Sequence, residues 1–238
     1  MIPGIIGGKS LARLLLPWRC ALCAGRAPDA RELCEECDAG LPRAAQACPR
    51  CGIRMGKTDF TGMCGRCMAR PPRFHRTVVP LAYDYPVDRL LLGLKFGRRI
   101  HLARALGHAI AEGVRSEVER GRMEMPEVLV PVPLHPRRMA KRGFNQAEEI
   151  ARFIGRAIGL PVAPGVCLRV RRTRMQSRLS DEERRLNVAD AFACSESPLR
   201  PAIVDDVVTT GATADAMAAA LISAGAEHVQ VWAAARAA

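Results

Sequence analysis

The residues best placed for chemistry lie together near the end of the chain: Ile203-Val204-Asp205-Asp206-Val207-Val208-Thr209-Thr210-Gly211-Ala212-Thr213. An apolar run passes through two adjacent acids into a turn of hydroxyls and glycine. In an open α/β sheet, ligands bind beyond the carboxyl ends of the strands, where such a turn falls. Thr209, Thr210, Gly211, Ala212 and Thr213 can wrap backbone N–H groups and hydroxyls around a phosphate at the positive end of the next helix, with Gly211 permitting close approach. Two carboxylates would repel that phosphate. Asp205 and Asp206 must therefore address another part of the ligand, its sugar hydroxyls or a Mg2+ shell, and a sugar phosphate satisfies both halves.

A second segment runs Pro131-Val132-Pro133-Leu134-His135-Pro136-Arg137-Arg138-Met139-Ala140-Lys141-Arg142-Gly143-Phe144-Asn145-Gln146-Ala147 and holds four cations in six positions. Taken alone it is a solvated basic loop; beside a phosphate site it gains a role. Residues 137–178 carry 11 basic and 2 acidic side chains, most of the formal +12 of the whole chain. His75, His101, His108, His135 and His228 show no recurring partner spacing, so no triad and no histidine base is expected. Gly4-Ile5-Ile6-Gly7-Gly8-Lys9-Ser10 fails as a P-loop, because Pro3 stands where the motif needs glycine and no strand precedes it.

Eight of the ten cysteines form four Cys-x-x-Cys pairs: Cys20 and Cys23, Cys34 and Cys37, Cys48 and Cys51, Cys64 and Cys67. Each such turn brings two thiolates to one point, and two turns complete the tetrahedral set that structural zinc prefers. Two structural Zn2+ ions are expected. Sequential pairing is the simplest, but crossed and nested arrangements use the same letters. Four regular pairs exceed what one dithiol exchange needs, and a metal module implies a reducing, cytoplasmic compartment.

These groups need elements to hold them. A chain of 238 residues with 49% hydrophobic content can bury a sizeable core. It has no run of the roughly 18 to 20 apolar residues that cross a membrane. Gly7, Gly8, Lys9 and Arg13 interrupt the mildly apolar start before a secretory signal forms, so a soluble, unexported chain without membrane insertion is expected. Of the 36 basic residues 32 are Arg, which a composition bias explains more cheaply than chemistry does. Pro71-Pro72 marks the exit from a cysteine-rich module, giving two parts, 16–70 and 78–238. The later pattern predicts strands at 77–83, 127–132, 166–170, 201–204 and 228–233. Helices are predicted at 87–96, 102–119, 145–157 and 214–224, the third opened by a capping box of Asn145 and Glu148. Strands alternating with helices make this an α/β chain with a mostly parallel sheet.

The 203–213 segment resembles the 5-phosphoribosyl 1-pyrophosphate (PRPP) motif of type I phosphoribosyltransferases. With the cysteine pairs, Leu94-Lys95-Phe96, the 131–147 segment, Arg172 to Leu179, Arg184, Asn187 and Phe192, nearly the whole chain resembles the ComF family of competence proteins. The resemblance implies a type I phosphoribosyltransferase-like sheet behind a double zinc ribbon. It implies ribose-phosphate binding by Asp205, Asp206 and Thr209 to Thr213, with Mg2+, and pyrophosphate binding by Arg137, Arg138 and Arg142. Segment 169–180 would be the loop that closes over the reaction centre. If transfer occurs, its transition state has oxocarbenium character at ribose C1, and positioning, Mg2+ and leaving-group stabilisation replace a protein nucleophile. Two functions follow as expectations. One is a PRPP-binding protein of DNA uptake with a basic face for single-stranded DNA; the other is an active transferase of unknown acceptor. With 4% aromatic residues, DNA would be held through its phosphates and released by salt. Type I relatives commonly dimerise, which makes a homodimer a further expectation.

Overall fold

A computed structural model describes residues 18–28, 31–44, 46–56, 62–171 and 190–237. They fall into two compact units, one ending at Leu41 and one beginning at Pro42. The first unit contains the short helix α1 (Glu35–Ala39), entered from Cys34 with Glu35 and Glu36 in its first turn. Acids there suit the positive end of a helix.

The second unit is built on a parallel sheet. In chain order its strands are β1 (Arg76–Val78), β2 (Leu81–Ala82), β3 (Val128–Pro131), β6 (Pro201–Val208) and β7 (Gln230–Arg236). The spatial order is β1-β7-β6-β3, with β2 also on β7. Strands β4 (Cys167–Arg169) and β5 (Phe192–Cys194) form a separate antiparallel ribbon. The strand predicted over 77–83 divides in two at Val79-Pro80, where proline has no N–H for the ladder. The run predicted over 201–204 continues to Val208, so both aspartates lie within the strand and not beyond it.

Helices cover both faces. Leu90, Leu91 and Leu94 line the buried stripe of α3 (Val87–Phe96), and Leu102, Leu106, Ile110 and Val114 that of α4 (Leu102–Glu119). Gly107 lets α4 approach Phe153 of α6 (Gln146–Ile158); a Cβ there would stand 2.7 Å from the ring. The alanine-rich α7 (Ala212–Ser223) sends Met217, Ala218 and Leu221 into a core with Val130, Ile203, Val231 and Ala233. Among the described residues no helix is long and apolar enough to cross a membrane.

The unit boundary cuts the cysteine-rich segment instead of following Pro71-Pro72, because the chain after Leu41 is sewn to the sheet edge. Ala44 N–H donates to Pro80 O (2.8 Å), Ala82 N–H to Pro42 O (2.9 Å) and Thr77 N–H to Pro49 O (2.9 Å). The Thr77 hydroxyl donates to Arg50 O at 2.7 Å. Gly52, at φ +72°, lies so close to β1 that a Cβ would sit 2.6 Å from the Val79 methyl. The second helix, α2 (Gly65–Ala69), belongs to this stitched portion. Of the expected closing loop 169–180, residues 172–180 lie outside the described residues, as do Arg184 and Asn187.

Candidate functional site

The cysteines resolve into two groups of four. The sulfurs of Cys20, Cys23, Cys34 and Cys37 lie within 4.8 Å of one another, and so do those of Cys48, Cys51, Cys64 and Cys67. The pairing is therefore sequential. Gly25 N–H points at Cys23 Sγ and Cys64 N–H at Cys48 Sγ, each at 3.4 Å. Burial opposes ionisation of Cys20 and Cys48, yet backbone N–H groups outweigh it and draw them down to about 6 and about 7. Four converging sulfurs, with one thiol of each set ready to ionise near neutrality, fit tetrahedral zinc; bound there, zinc supplies folding energy. Cys167 and Cys194 belong to neither set and face each other across β4 and β5.

The acid pair sits near the carboxyl end of β6. Successive side chains of a strand face opposite sides, so Asp205 follows Ile203 and Asp206 follows Val204. Both carboxylates were expected to face a ligand; the structure parts them. Asp206 is buried, 3% exposed, and its Oδ2 lies 2.7 Å from the Lys95 ammonium in the last turn of α3. Burial pulls that ammonium down, but the charges of Asp206, Asp205 and Tyr83 more than offset it and hold Lys95 above its usual value. Asp205 is half-buried, and its Oδ1 accepts the N–H of Asp206 at 2.8 Å. Burial and the adjacent Asp206 charge push the Asp205 carboxyl up to about 8 despite Lys95.

Cations gather around these acids. The predicted basic loop contains a helix, α5 (Pro136–Arg142), started by Pro136 at its first position and by His135 Nδ1, which accepts the Arg137 N–H at 3.2 Å, and ended by Gly143 at φ +85°. Arg142 bonds to Gln146 and lies 5.5 Å from the centre of the Phe96 ring, beside Lys95. Burial draws Arg142 down and Asp206 counters it; burial and Arg138 draw Arg169 of β4 down and Asp205 counters them. Asn145 fastens the next helix to β3: its Oδ1 accepts from Ala147 N–H and its Nδ2 donates to Val132 O at 3.0 Å. Glu148, the expected return arm of a capping box, bonds to Arg152.

The turn after β6 carries the remaining predicted residues. Thr209 is exposed, Thr210 Oγ1 accepts the Ala212 N–H at 3.3 Å, and Gly211 at φ +83° sets the entry to α7, with Ala212 and Thr213 in its first turn. A left-handed N-cap of this kind leaves the first N–H groups of the helix facing outward. Charge coupling ties Asp205 and Asp206 to Arg142 and, through Arg169, to Arg138, while Arg137 stands exposed on the same short helix.

Two residues of this cluster had no site role in the sequence reading. Lys95 stands out in the sequence only as one of four lysines among 32 arginines, and Arg169 is one arginine of many. A lone Lys at the end of an amphipathic helix does not reveal which strand the helix crosses.

Comparison with known proteins agrees with this architecture. Residues 11–68 match the double zinc ribbon domain family. The chain is 36% identical over 225 residues to DNA utilization protein YhgH of Salmonella typhi, covering 92% of this chain and 97% of that protein. It is 31% identical over 226 residues to competence protein F of Haemophilus influenzae, with the same coverage. Competence protein ComFC of Streptococcus pneumoniae is 26% identical over 211 residues, 84% of this chain and 86% of that protein.

Proposed function

Because this chain belongs to the ComF family of competence and DNA utilization proteins, we propose that it acts in DNA uptake by binding PRPP, or a related sugar phosphate, and by holding single-stranded DNA along its basic face. The observation that carries this reading is the end of β6, where a half-buried acid, Asp205, stands between an outward-facing amide turn and the Lys95, Arg142 and Arg169 cations.

Thr209 to Thr213 hold the 5′-phosphate with amides and hydroxyls. Asp205 takes the ribose hydroxyls. Asp206, pinned by Lys95, keeps a second negative charge behind it and fixes the strand end. Arg137, Arg138 and Arg142 receive the pyrophosphate, as guanidinium groups suit paired phosphate oxygens. Mg2+, which Asp205 would help to hold, supplies charge neutralisation between acid and pyrophosphate. The same arginines offer a DNA backbone its phosphate contacts, so sugar phosphate and DNA compete for part of one surface.

Calorimetry with PRPP and Mg2+ tests the donor site: Asp205→Asn with Asp206→Asn weakens binding at least about tenfold, and unchanged affinity removes the reading. For DNA, Arg137→Ala with Arg142→Ala lowers the salt slope of oligonucleotide binding by nearly two. A slope equal to wild type removes the basic face as the DNA site. Release of pyrophosphate from PRPP in the presence of bases or amines separates a transferase from a binding protein.

A further inference from the structure

A guanidinium without a hydrogen-bond acceptor is buried at the far end of the central sheet. Arg236, the last residue of β7, is 7% exposed, and among the described residues its Nε and Nη1 find none. A buried arginine cannot escape its charge by losing a proton, and burying it unpaired is strongly unfavourable. Some negative group must answer it.

Its surroundings identify that group. Arg236 lines a cleft of about 610 Å³ together with Cys51, Cys67 and Arg66. Two acids also line the cleft, Asp190 and Asp215. Asp215 is engaged by Arg73, whose N–H it accepts at 2.6 Å, and neither acid acts on Arg236. Cys51, Cys64 and Cys67 do, each favouring the charged guanidinium against burial and Arg66. Four thiolates around Zn2+ carry two excess negative charges, held in a half-buried place where charge is poorly screened.

We propose that Arg236 is the counter-charge of the second tetrathiolate zinc centre, a positioning residue that stabilises the metal-bound sulfurs and ties that centre to the last strand of the sheet. In register, Arg236 faces Val208 of β6, and Ala237 N–H donates to Val208 O at 2.9 Å. One strand residue thus stands between the second metal centre and the turn that begins at Thr209. Outer partners of metal ligands commonly change metal affinity 10- to 100-fold when removed. The first cysteine group contains no part of this arrangement and serves as the internal control.

The experiment uses the full, zinc-loaded chain with Arg236→Met, Arg236→Gln and Arg236→Lys. Competition with a chromophoric chelator gives zinc affinity, and mass mapping of iodoacetamide-labelled peptides gives the reactivity of each cysteine. In Arg236→Met the second-site zinc binds about 10- to 100-fold more weakly, Cys51, Cys64 and Cys67 alkylate faster, and Cys20, Cys23, Cys34 and Cys37 behave as in wild type. Arg236→Lys restores most of the affinity because it restores the charge. If Arg236→Met does not fold, the contrast between lysine and glutamine at the same position carries the test. Zinc affinity and alkylation equal to wild type in the uncharged variants, or a lysine variant no better than glutamine, overturns the proposal.

Discussion

The two cysteine groups share their letters and almost their spacing, yet they belong to different bodies. Cys20 to Cys37 lie in a compact unit of their own, while Cys48 to Cys67 are part of the unit that carries the sheet. The difference is made outside the Cys-x-x-Cys pairs. Gly52 lies flat against Val79, Thr77 bonds to Pro49 and Arg50, and the Arg50 guanidinium reaches Pro72 O at 2.7 Å. A metal module is thus a detachable staple or a piece of the core according to the residues between its ligands. This sheet is too short at its β1 edge to end without such a cover.

Substituting one ligand of each group gives the largest contrast. Cys67→Ser lowers the stability of the sheet by about 5 kcal/mol, half of the roughly 10 that a structural zinc supplies. In thermal denaturation this is a drop of roughly 10–20 °C for a domain of this size. Cys37→Ser leaves the same transition in place; equal shifts from both would break the distinction.

Lys95→Met measures what the sheet's own charge pair contributes next to the metal. Removing the ammonium strands the buried Asp206 carboxylate, which costs about 3 kcal/mol in chemical denaturation at neutral pH. A change within 0.5 kcal/mol, about the ordinary surface effect, would show that the pair is replaceable by solvent. Gly52→Ala probes the seam itself. Left-handed backbone and contact with Val79 together cost about 2 kcal/mol, whereas Gly62→Ala, also left-handed but with open space around it, costs about 1 kcal/mol. Identical losses would mean that the close approach at Gly52 is unimportant.

Much of this organisation was legible in the letters. The 87–96 and 102–119 helices follow directly from apolar spacing, and the buried runs at 128 and 201 from their continuous hydrophobicity. Metal ligands announce themselves by spacing. What spacing does not carry is partnership across the fold. Sequential cysteine pairing, the Lys95–Asp206 contact and the Arg236 neighbourhood each join residues whose proximity depends on strand order. Helix α5 escaped notice because three of its seven residues are cations and none is buried, leaving no apolar period; only His135, Pro136 and Gly143 mark its ends.

The site at β6 meets its sharpest test in the pH dependence of PRPP binding with Mg2+ between pH 7 and 9. Burial and Asp206 raise the Asp205 carboxyl to about 8, so below that pH the ligand must displace a proton and above it must not. Wild-type affinity measured by calorimetry rises with pH by up to about tenfold per unit and levels beyond pH 8, while Asp205→Asn binds at least about tenfold more weakly at pH 9 and shows no such rise. A wild-type profile as flat as that of the variant, with equal affinity, would contradict the account.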